Sequence, residues 1–288
     1  MRNDAHLVTS GWQDYELLDS GDGQKLERFG EVITARPETQ ALWTKQKPEL
    51  WKQAHAVFEF AEKKGEWKAK KSVPESWPMK RGPLTFAARL SGFKHTGVFP
   101  EQEPNWVWVK DRVKALGTPE VLNLFGYTGI ATLAAAHPGA QVTHVDASKQ
   151  SLDWAHDNAR LSGISEDSIR YIFDDALAFA KREVRRGSKY EGIILDPPAF
   201  GRGAKGEVWK IEDQLPELIE ATKALLSEKS GSFYLLNGYA AGYAAASFAQ
   251  LVESVFGDKN IRFGDLNIKE SQSDRIISTG IYTSFIVQ

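Results

Sequence analysis

Four apolar runs in this 288-residue sequence end on groups able to do chemistry. "VLNLFGYTG", Val121 to Gly129, closes on two glycines flanking Tyr127 and Thr128. "QVTHVD" closes on Asp146 and "IRYIFDD" on Asp174 and Asp175. "IILDPPAF" closes on Asp196, followed by Pro197, Pro198, Ala199 and Phe200. Carboxylates at such ends accept hydrogen bonds from hydroxyl and amino groups. Pro197 and Pro198 hold the backbone rigid and offer carbonyls with no competing N–H. Phe200 offers a face on which a planar ring can stack. Taken singly, these features have plainer readings: turn glycines, helix caps at Asp146 and Asp175, and a structural Asp196 whose prolines shape a turn. Their coincidence at successive strand ends points to a ligand rich in donors.

The elements that must position these residues follow from the pattern after Pro119. Strand-like runs alternate with helical ones: "VLNLF", "GIATLAAAH", "QVTHVD", "SKQSLDWAHDNARLSG", "IRYIFDD", "ALAFAKREVRRG", "YEGIILD", "QLPELIEATKALLS", "GSFYLLNGY" and "GYAAASFAQLVESVFG". Such alternation implies a parallel sheet covered on both faces, whose ligands sit beyond the carboxyl ends of the strands. Ser148 and Gly163 are placed to start and stop the second helix. The last two runs, "IRFGDLNI" and "STGIYTSFIVQ", have no helix between them and should pair antiparallel. The first loop lacks GxGxxG, the pattern that cradles a pyrophosphate at a helix N-terminus, so the loop suits a nucleotide ligand without one. Asp146, about twenty residues on, is placed to take both ribose hydroxyls.

Composition shifts before residue 110. Trp12, Trp43, Trp51, Trp67, Trp77, Trp106 and Trp108 precede that point, and only Trp154 and Trp209 follow it. Residues 63 to 94 hold Lys63, Lys64, Lys68, Lys70, Lys71, Lys80, Arg81, Arg89 and Lys94 against Glu66 and Glu75, a local excess of positive charge in a chain of net charge −2. That field suits phosphate, or it is a solvated face. "YELLDSGDGQKLERFGEVITARP" reads as strand, tight turn, strand. "PELWKQAHAVFEFAEKKG" places Leu50, Ala54, Val57, Phe58 and Ala61 at helical spacing. "LTFAARLSGF" and "NWVWVKDRV" read as strand or mixed segments. The expected organisation is a β-rich, α+β N-terminal region over 1–109, binding substrate, and a ligand-binding α/β domain over 110–288.

Several classes are excluded or disfavoured. The chain has no cysteine, which removes disulfides, cysteine–zinc sites and thiolate nucleophiles. No apolar run nears the roughly 20 residues of a membrane helix, and the first residues lack the apolar core of a secretory signal, so a cytoplasmic protein is expected. His6, His55, His95, His137, His144 and His156 show no metal-ligand spacing, and no metal is expected; His95, just before "TGVFPEQ", is a candidate for the mouth of the cofactor site. Oligomeric state is left open.

The C-terminal region, about 110 to 288, resembles the class I S-adenosylmethionine-dependent methyltransferases in "VLNLFGYTGIATLAAA", "HVDASKQSLDWAHDNARLSG", "DDALAFA" and "IILDPPAF". The pairing of "YTG" with "DPPxF" is similar to the bacterial branch of large-subunit ribosomal RNA base methyltransferases. The upstream "TGVFPEQEPNWVWV" and "DSGDGQKLERFG" are similar to segments of that branch. The resemblance implies a Rossmann-like, seven-stranded, mostly parallel sheet with an antiparallel last strand, and S-adenosylmethionine as cofactor. It implies that Phe125, Gly126, Thr128 and Gly129 floor the methionine part and that Asp146 holds the ribose. It further implies that Ala147 and Ser148 flank the adenosine, and that Asp175 accepts the adenine amino group with Ala176 nearby. Asn123 stands where the superfamily usually has an acid, and its amide would accept from the methionine ammonium.

On that frame, Asp196, Pro197, Pro198 and Phe200 would hold a flipped-out base for methyl transfer, as catalytic residues. Methylation of carbon 5 of a pyrimidine needs a thiolate adduct, which a chain without cysteine lacks, so the expected targets are base nitrogens of RNA. Arg202, Lys205 and Lys210 could clamp phosphate, whereas Lys181, Arg182, Arg185, Arg186 and Lys189 read as solvated surface. Competing readings are a methyltransferase of small molecules or proteins, a nicotinamide-dependent oxidoreductase and an RNA-binding module without catalysis. The absent GxGxxG argues against the second, and the intact rim acids against the third.

Overall fold

A computed structural model describes residues 2–61, 64–92, 94–204, 206–239 and 242–288, with the side chains of 2–6, 61 and 64 left aside. The chain divides into two units, each taken by itself here. One comprises Val8–Glu103 with Asn267–Thr279; the other comprises Met1–Leu7, Pro104–Leu266 and Gly280–Gln288. The chain passes between them several times, so no single cut separates them.

After β1 (Arg2–Thr9), the N-terminal unit builds a five-stranded sheet from β2 (Tyr15–Gly21), β3 (Gln24–Phe29), β4 (Val32–Pro37), β5 (Ala56–Ala61) and β6 (Lys64–Ala69), in that order. Asp22 and Gly23, with φ of 52° and 72°, make the two-residue turn that joins β2 to β3, the turn whose twist matches flanking strands. Of the helix expected over "PELWKQAHAVFEFAEKKG", only α1 (Pro48–Trp51) forms. Val57, Phe58 and Phe60 lie instead in β5, which pairs with β4 and β6. Short apolar runs do not distinguish helix from strand by spacing, and branched and aromatic side chains fit a pleated surface. β7 (Trp77–Arg81) and β8 (Leu84–Ala88) form a separate hairpin. Charge is buried in this unit. Glu27 is 0 % exposed; it accepts from Arg36 at 2.5 Å and from the Tyr15 hydroxyl at 2.8 Å.

The second unit opens with α2 (Glu103–Leu116), the segment "NWVWVKDRV" that reads as strand or mixed. Trp106, Val109 and Val113 are its buried face, at spacings of three and four that suit a helix. Then come β9 (Glu120–Leu124), α3 (Ile130–Ala136), β10 (Gln141–Asp146), α4 (Lys149–Leu161), β11 (Ile169–Phe173), α5 (Ala176–Arg186) and β12 (Gly192–Leu195). A short ribbon follows, β13 (Phe200–Arg202) with β14 (Val208–Lys210), then α6 (Ile211–Leu225), β15 (Phe233–Tyr239), α7 (Ala245–Phe256), β16 (Arg262–Lys269) and β17 (Ile276–Ile286). The sheet order is β1-β16-β17-β15-β12-β9-β10-β11. β15, β12, β9, β10 and β11 run parallel, and β17 pairs antiparallel with β15. Eight strands stand where seven were expected, because β1 joins the edge beside β16. Leu122, Leu124, Ile193, Leu195, Leu218 and Phe285 are in its core. Among the described residues, no helix is long and apolar enough to cross a membrane.

Candidate active site at the carboxyl rim of the sheet

β9 is central, between β10 and β12. Leu124 pairs with both Val145 and Leu195. The next residues, Phe125, Asp146 and Asp196, therefore leave the sheet at one level, with the first loop between the two acids. Asp146 pairs with Phe173, which puts Asp174 one step beyond.

The first loop is strained and pinned. Phe125 and Tyr127 both adopt the left-handed region, with φ of 59° and 49°, where bulky side chains are rarely found. Gly126 N–H donates to Val145 O at 3.0 Å, and Tyr127 N–H donates to Asp146 Oδ2 at 2.8 Å. Gly129, at φ 84°, begins α3 and carries the Leu133 N–H on its carbonyl; Thr128 is buried beside it. A Cβ on Gly126 would stand 2.4 Å from the His144 ring, so this position must be glycine for the loop to lie as it does. His144 is fully buried under the loop and shares a 2.8 Å hydrogen bond with Thr132 Oγ1, which accepts from Asn123 Nδ2 at 2.8 Å. Burial, with His156 nearby, pushes the His144 pKa down to about 3, so the ring is neutral. Asn123 heads this buried chain. Its side chain is 2 % exposed and donates inward. The reason is its place one residue before the strand end, on the face that α3 covers.

Asp146 is partly exposed. Its Oδ2 accepts from Tyr127 N–H and its Oδ1 from Ser148 N–H, each at 2.8 Å. A carboxylate has about four acceptor positions, and the backbone donors Tyr127, Ser148 and Ala147 leave it capacity for a hydroxyl of a vicinal diol. That capacity is what a ribose requires, and the residues fit a nucleoside cofactor there. Burial raises the Asp146 pKa, against the opposing pull of the Ser148, Tyr127 and Ala147 backbone. Ala147 is partly exposed and Ser148 exposed, the latter capping α4 through Ser151 N–H at 3.2 Å. Asp175 is buried and caps α5, accepting from Ala178 N–H at 2.8 Å; Ala176 is buried at the first helical position. Asp174 accepts from Asp175 N–H and pairs with Arg182. Much of the negative charge of the rim is therefore balanced by the chain's own donors, where a ligand was expected to supply them. Phe173, the last residue of β11 and directly before the two acids, is 52 % exposed.

Asp196 is partly exposed, Pro197 buried and Pro198 exposed. The Pro198 carbonyl accepts from Trp209 Nε1–H at 2.7 Å. Of the two proline carbonyls expected to meet a target base, one therefore accepts a donor from the protein itself. In the ribbon, Phe200 stands opposite Lys210 and Arg202 opposite Val208. Those four side chains are exposed, Phe200 at 58 %. Trp209 is 2 % exposed, its ring 4.9 Å from that of Phe125. Lys205 lies outside the described residues.

Other charged positions separate. In the N-terminal unit, Lys68, Lys70, Lys71 and Lys80 are exposed, Lys68 paired with Glu59 at 2.8 Å. Arg81 is bound to Glu103, and Lys94 is half-buried with its pKa lowered, first by burial. Lys63 and the Lys64 side chain lie outside the described residues. His95 packs 4.8 Å from Phe99, and burial, reinforced by Arg36 and Lys94, pushes its pKa down to about 3. On α5, Lys181 pairs with Glu217 and Arg186 with Glu183.

A sheet of this order, its last strand reversed and its loops level at one rim, is the fold class of the Rossmann-like methyltransferases. Residues 21–253 match the family described as S-adenosylmethionine-dependent methyltransferase. The crystal structure of the SAM-dependent methyltransferase from Agrobacterium tumefaciens is 38% identical, covers 100% of this chain and 95% of that one, and superposes with a TM-score of 0.94. The chain belongs to the S-adenosylmethionine-dependent methyltransferase family. Ribosomal RNA large subunit methyltransferase K/L of Shewanella frigidimarina is 35% identical over 144 residues, 49% of this chain and 20% of that protein. Its counterpart in Pseudomonas aeruginosa is 29% identical over 233 residues, 79% of this chain and 30% of that protein. The chain thus spans less than a third of the length of these two curated relatives.

Proposed function

We propose that this protein transfers a methyl group to a base nitrogen of ribosomal RNA. The observation that carries the reading is the level exit of Asp146 and Asp196 on either side of the Phe125–Gly129 loop. Asp146 would hold the ribose of S-adenosylmethionine, and the loop would underlie its methionine part. Ala147, Ser148, Asp175 and Ala176 would surround the adenosine. When bound, the cofactor supplies an electrophilic methyl group on sulfur.

The chain's own task is orientation, which can supply about 7–11 kcal/mol of a barrier at best. The Asp196 carboxylate and the Pro197 carbonyl would accept the N–H groups of the base, and Phe200 would stack on its face. A nitrogen lone pair is the nucleophile, so no base is required before attack. No thiolate is available from these residues for chemistry at pyrimidine carbon 5. Arg202 and Lys210 share the exposed face of the ribbon with Phe200 and would meet flanking phosphates, while Lys68, Lys70 and Lys71 add a second basic patch. The names of the K/L relatives support ribosomal RNA as the substrate, and that substrate implies a cytoplasmic protein.

The test is transfer of tritiated methyl from S-adenosylmethionine to total RNA, followed by digestion to nucleosides. Label is expected in one methylated purine nucleoside. Label in protein or small molecules, with RNA blank, would overturn the RNA assignment.

A further inference from the structure

Trp209 is out of character for its place. Its neighbours Val208 and Lys210 are exposed, yet Trp209 is 2 % exposed. The ribbon is only three residues wide on each side, and such a ribbon has little stability of its own. Something must hold it. Two contacts do so, both made by one indole. Its Nε1–H donates to the Pro198 carbonyl at 2.7 Å. Its ring lies 4.9 Å from the Phe125 ring at an interplanar angle of 60°, a geometry that aromatic pairs favour. Ile211 N–H, donating to Ala199 O at 3.1 Å, closes the base of the ribbon.

The two partners of Trp209 belong to different halves of the rim. Phe125 is the first residue of the left-handed loop beside Asp146, on the cofactor side. Pro198 belongs to the Asp196–Phe200 segment, on the target side. A backbone without its own N–H at 197 and 198 cannot pin itself by hydrogen bonds of the usual kind. The Trp209 indole replaces them, and so fixes where the Pro198 carbonyl points and where Phe200 leaves the turn.

We propose that Trp209 is the positioning residue that ties the cofactor loop to the target-base loop, its N–H setting the Asp196–Phe200 segment and its ring setting Phe125. The assignment rests on the reading of the rim as a methyl-transfer site. Trp209 is buried, and it acts through Pro198 and Phe125.

Two variants separate its two contacts. Trp209→Phe keeps a ring against Phe125 and removes the donor to Pro198. Trp209→Leu removes both. Two readouts need no methyl acceptor: calorimetric affinity for S-adenosylhomocysteine, and hydrogen exchange of backbone amides in 199–203 and 125–129. Methyl transfer to total RNA is the third readout. Trp209→Phe should exchange faster in 199–203, keep the exchange of 125–129 and the product affinity of the wild type, and lose turnover by about tenfold or more at unchanged cofactor KM. Trp209→Leu should in addition exchange faster in 125–129 and bind the product more weakly.

Wild-type exchange in 199–203 in Trp209→Phe would overturn the proposal. So would equal loss of product affinity in both variants in step with thermal midpoint, the mark of a packing residue alone. If wild-type protein leaves RNA unlabelled, the RNA reading falls, while the exchange and affinity split still decides the role of Trp209.

Discussion

Asp146 has two jobs at once. It pins Tyr127 and Ser148 through their N–H groups, and it keeps acceptor capacity turned outward. Asp146→Ala should therefore weaken S-adenosylhomocysteine binding by roughly 1–3 kcal/mol, the scale of a lost hydrogen bond to a charged group. Calorimetry checks this, and an unchanged dissociation constant would remove Asp146 from the ribose role. Asp196 and Phe200 should behave differently, because they sit across the first loop from Asp146. Asp196→Ala and Phe200→Ala should stay folded and lose turnover by at least ~10-fold, about 1.4 kcal/mol in barrier. Phe200→Ala should keep wild-type product affinity, since its ring is 58 % exposed and on the side proposed for the target base. Two folded variants that methylate RNA at the wild-type rate would make "DPPAF" a structural turn only.

At the scale of elements, the junction of β9, α3 and β10 is the tightest part of the site. Asn123, Thr132 and His144 form a buried polar chain under the loop, and Gly126 rests directly on the His144 ring. Gly126→Ala would press a methyl group into that ring, and overpacking of this kind costs roughly 1–3 kcal/mol. The urea midpoint should fall, and product affinity should fall with it because the loop must lift. A variant with wild-type midpoint and affinity would show that the loop yields freely. The alternating elements from β9 to β15 were legible in the sequence because short apolar runs alternate with longer amphipathic ones, α4 being bounded by Ser148 and Gly163. β5 and α2 were misread for one reason. "AVFEFA" and "NWVWV" are short runs whose apolar residues satisfy both periods, and partners elsewhere decide between them. The ribbon after Pro198 was not legible, since contacts such as Trp209 reaching back to Pro198 and Ile211 to Ala199 make it an element.

For the whole molecule, buried ionisable groups make stability depend on pH. His144 in one unit and His95 in the other are held neutral, each with a pKa near 3 against 6.5 when unfolded. Between those values the unfolded chain binds a proton that the folded chain does not, so stability falls as pH drops, by about 1.4 kcal/mol per pH unit for each histidine. Glu27 acts in the same direction at lower pH. Although burial opposes it, Arg36 and Lys25 lower its pKa from 4.5 to about 2. Its contribution is present above pH 4.5 and is lost as the pH falls through that window toward 2. Urea unfolding at pH 7, 6, 5 and 4 should show a decline that begins near 6.5 and steepens below 4.5, and His144→Gln should lose its share of the slope. Equal midpoints from pH 7 to 4 would contradict the buried neutral histidines.

The sequence by itself determined the strand–helix alternation, the reversed last strand, the acids and glycines at the strand ends, and the absence of thiol chemistry. These follow from local periods, covalent constraints and residue types, which are all readable within a few residues. Tertiary structure alone decided the rest. It turned Asn123 inward to Thr132, balanced Asp174 with Arg182, engaged the Pro198 carbonyl with Trp209, and added β1 as an eighth strand. The physical reason is common to all four. A burial period tells which face of an element is covered, but a polar group is satisfied by whichever partner the fold brings within about 3 Å, and that partner can lie anywhere along the chain.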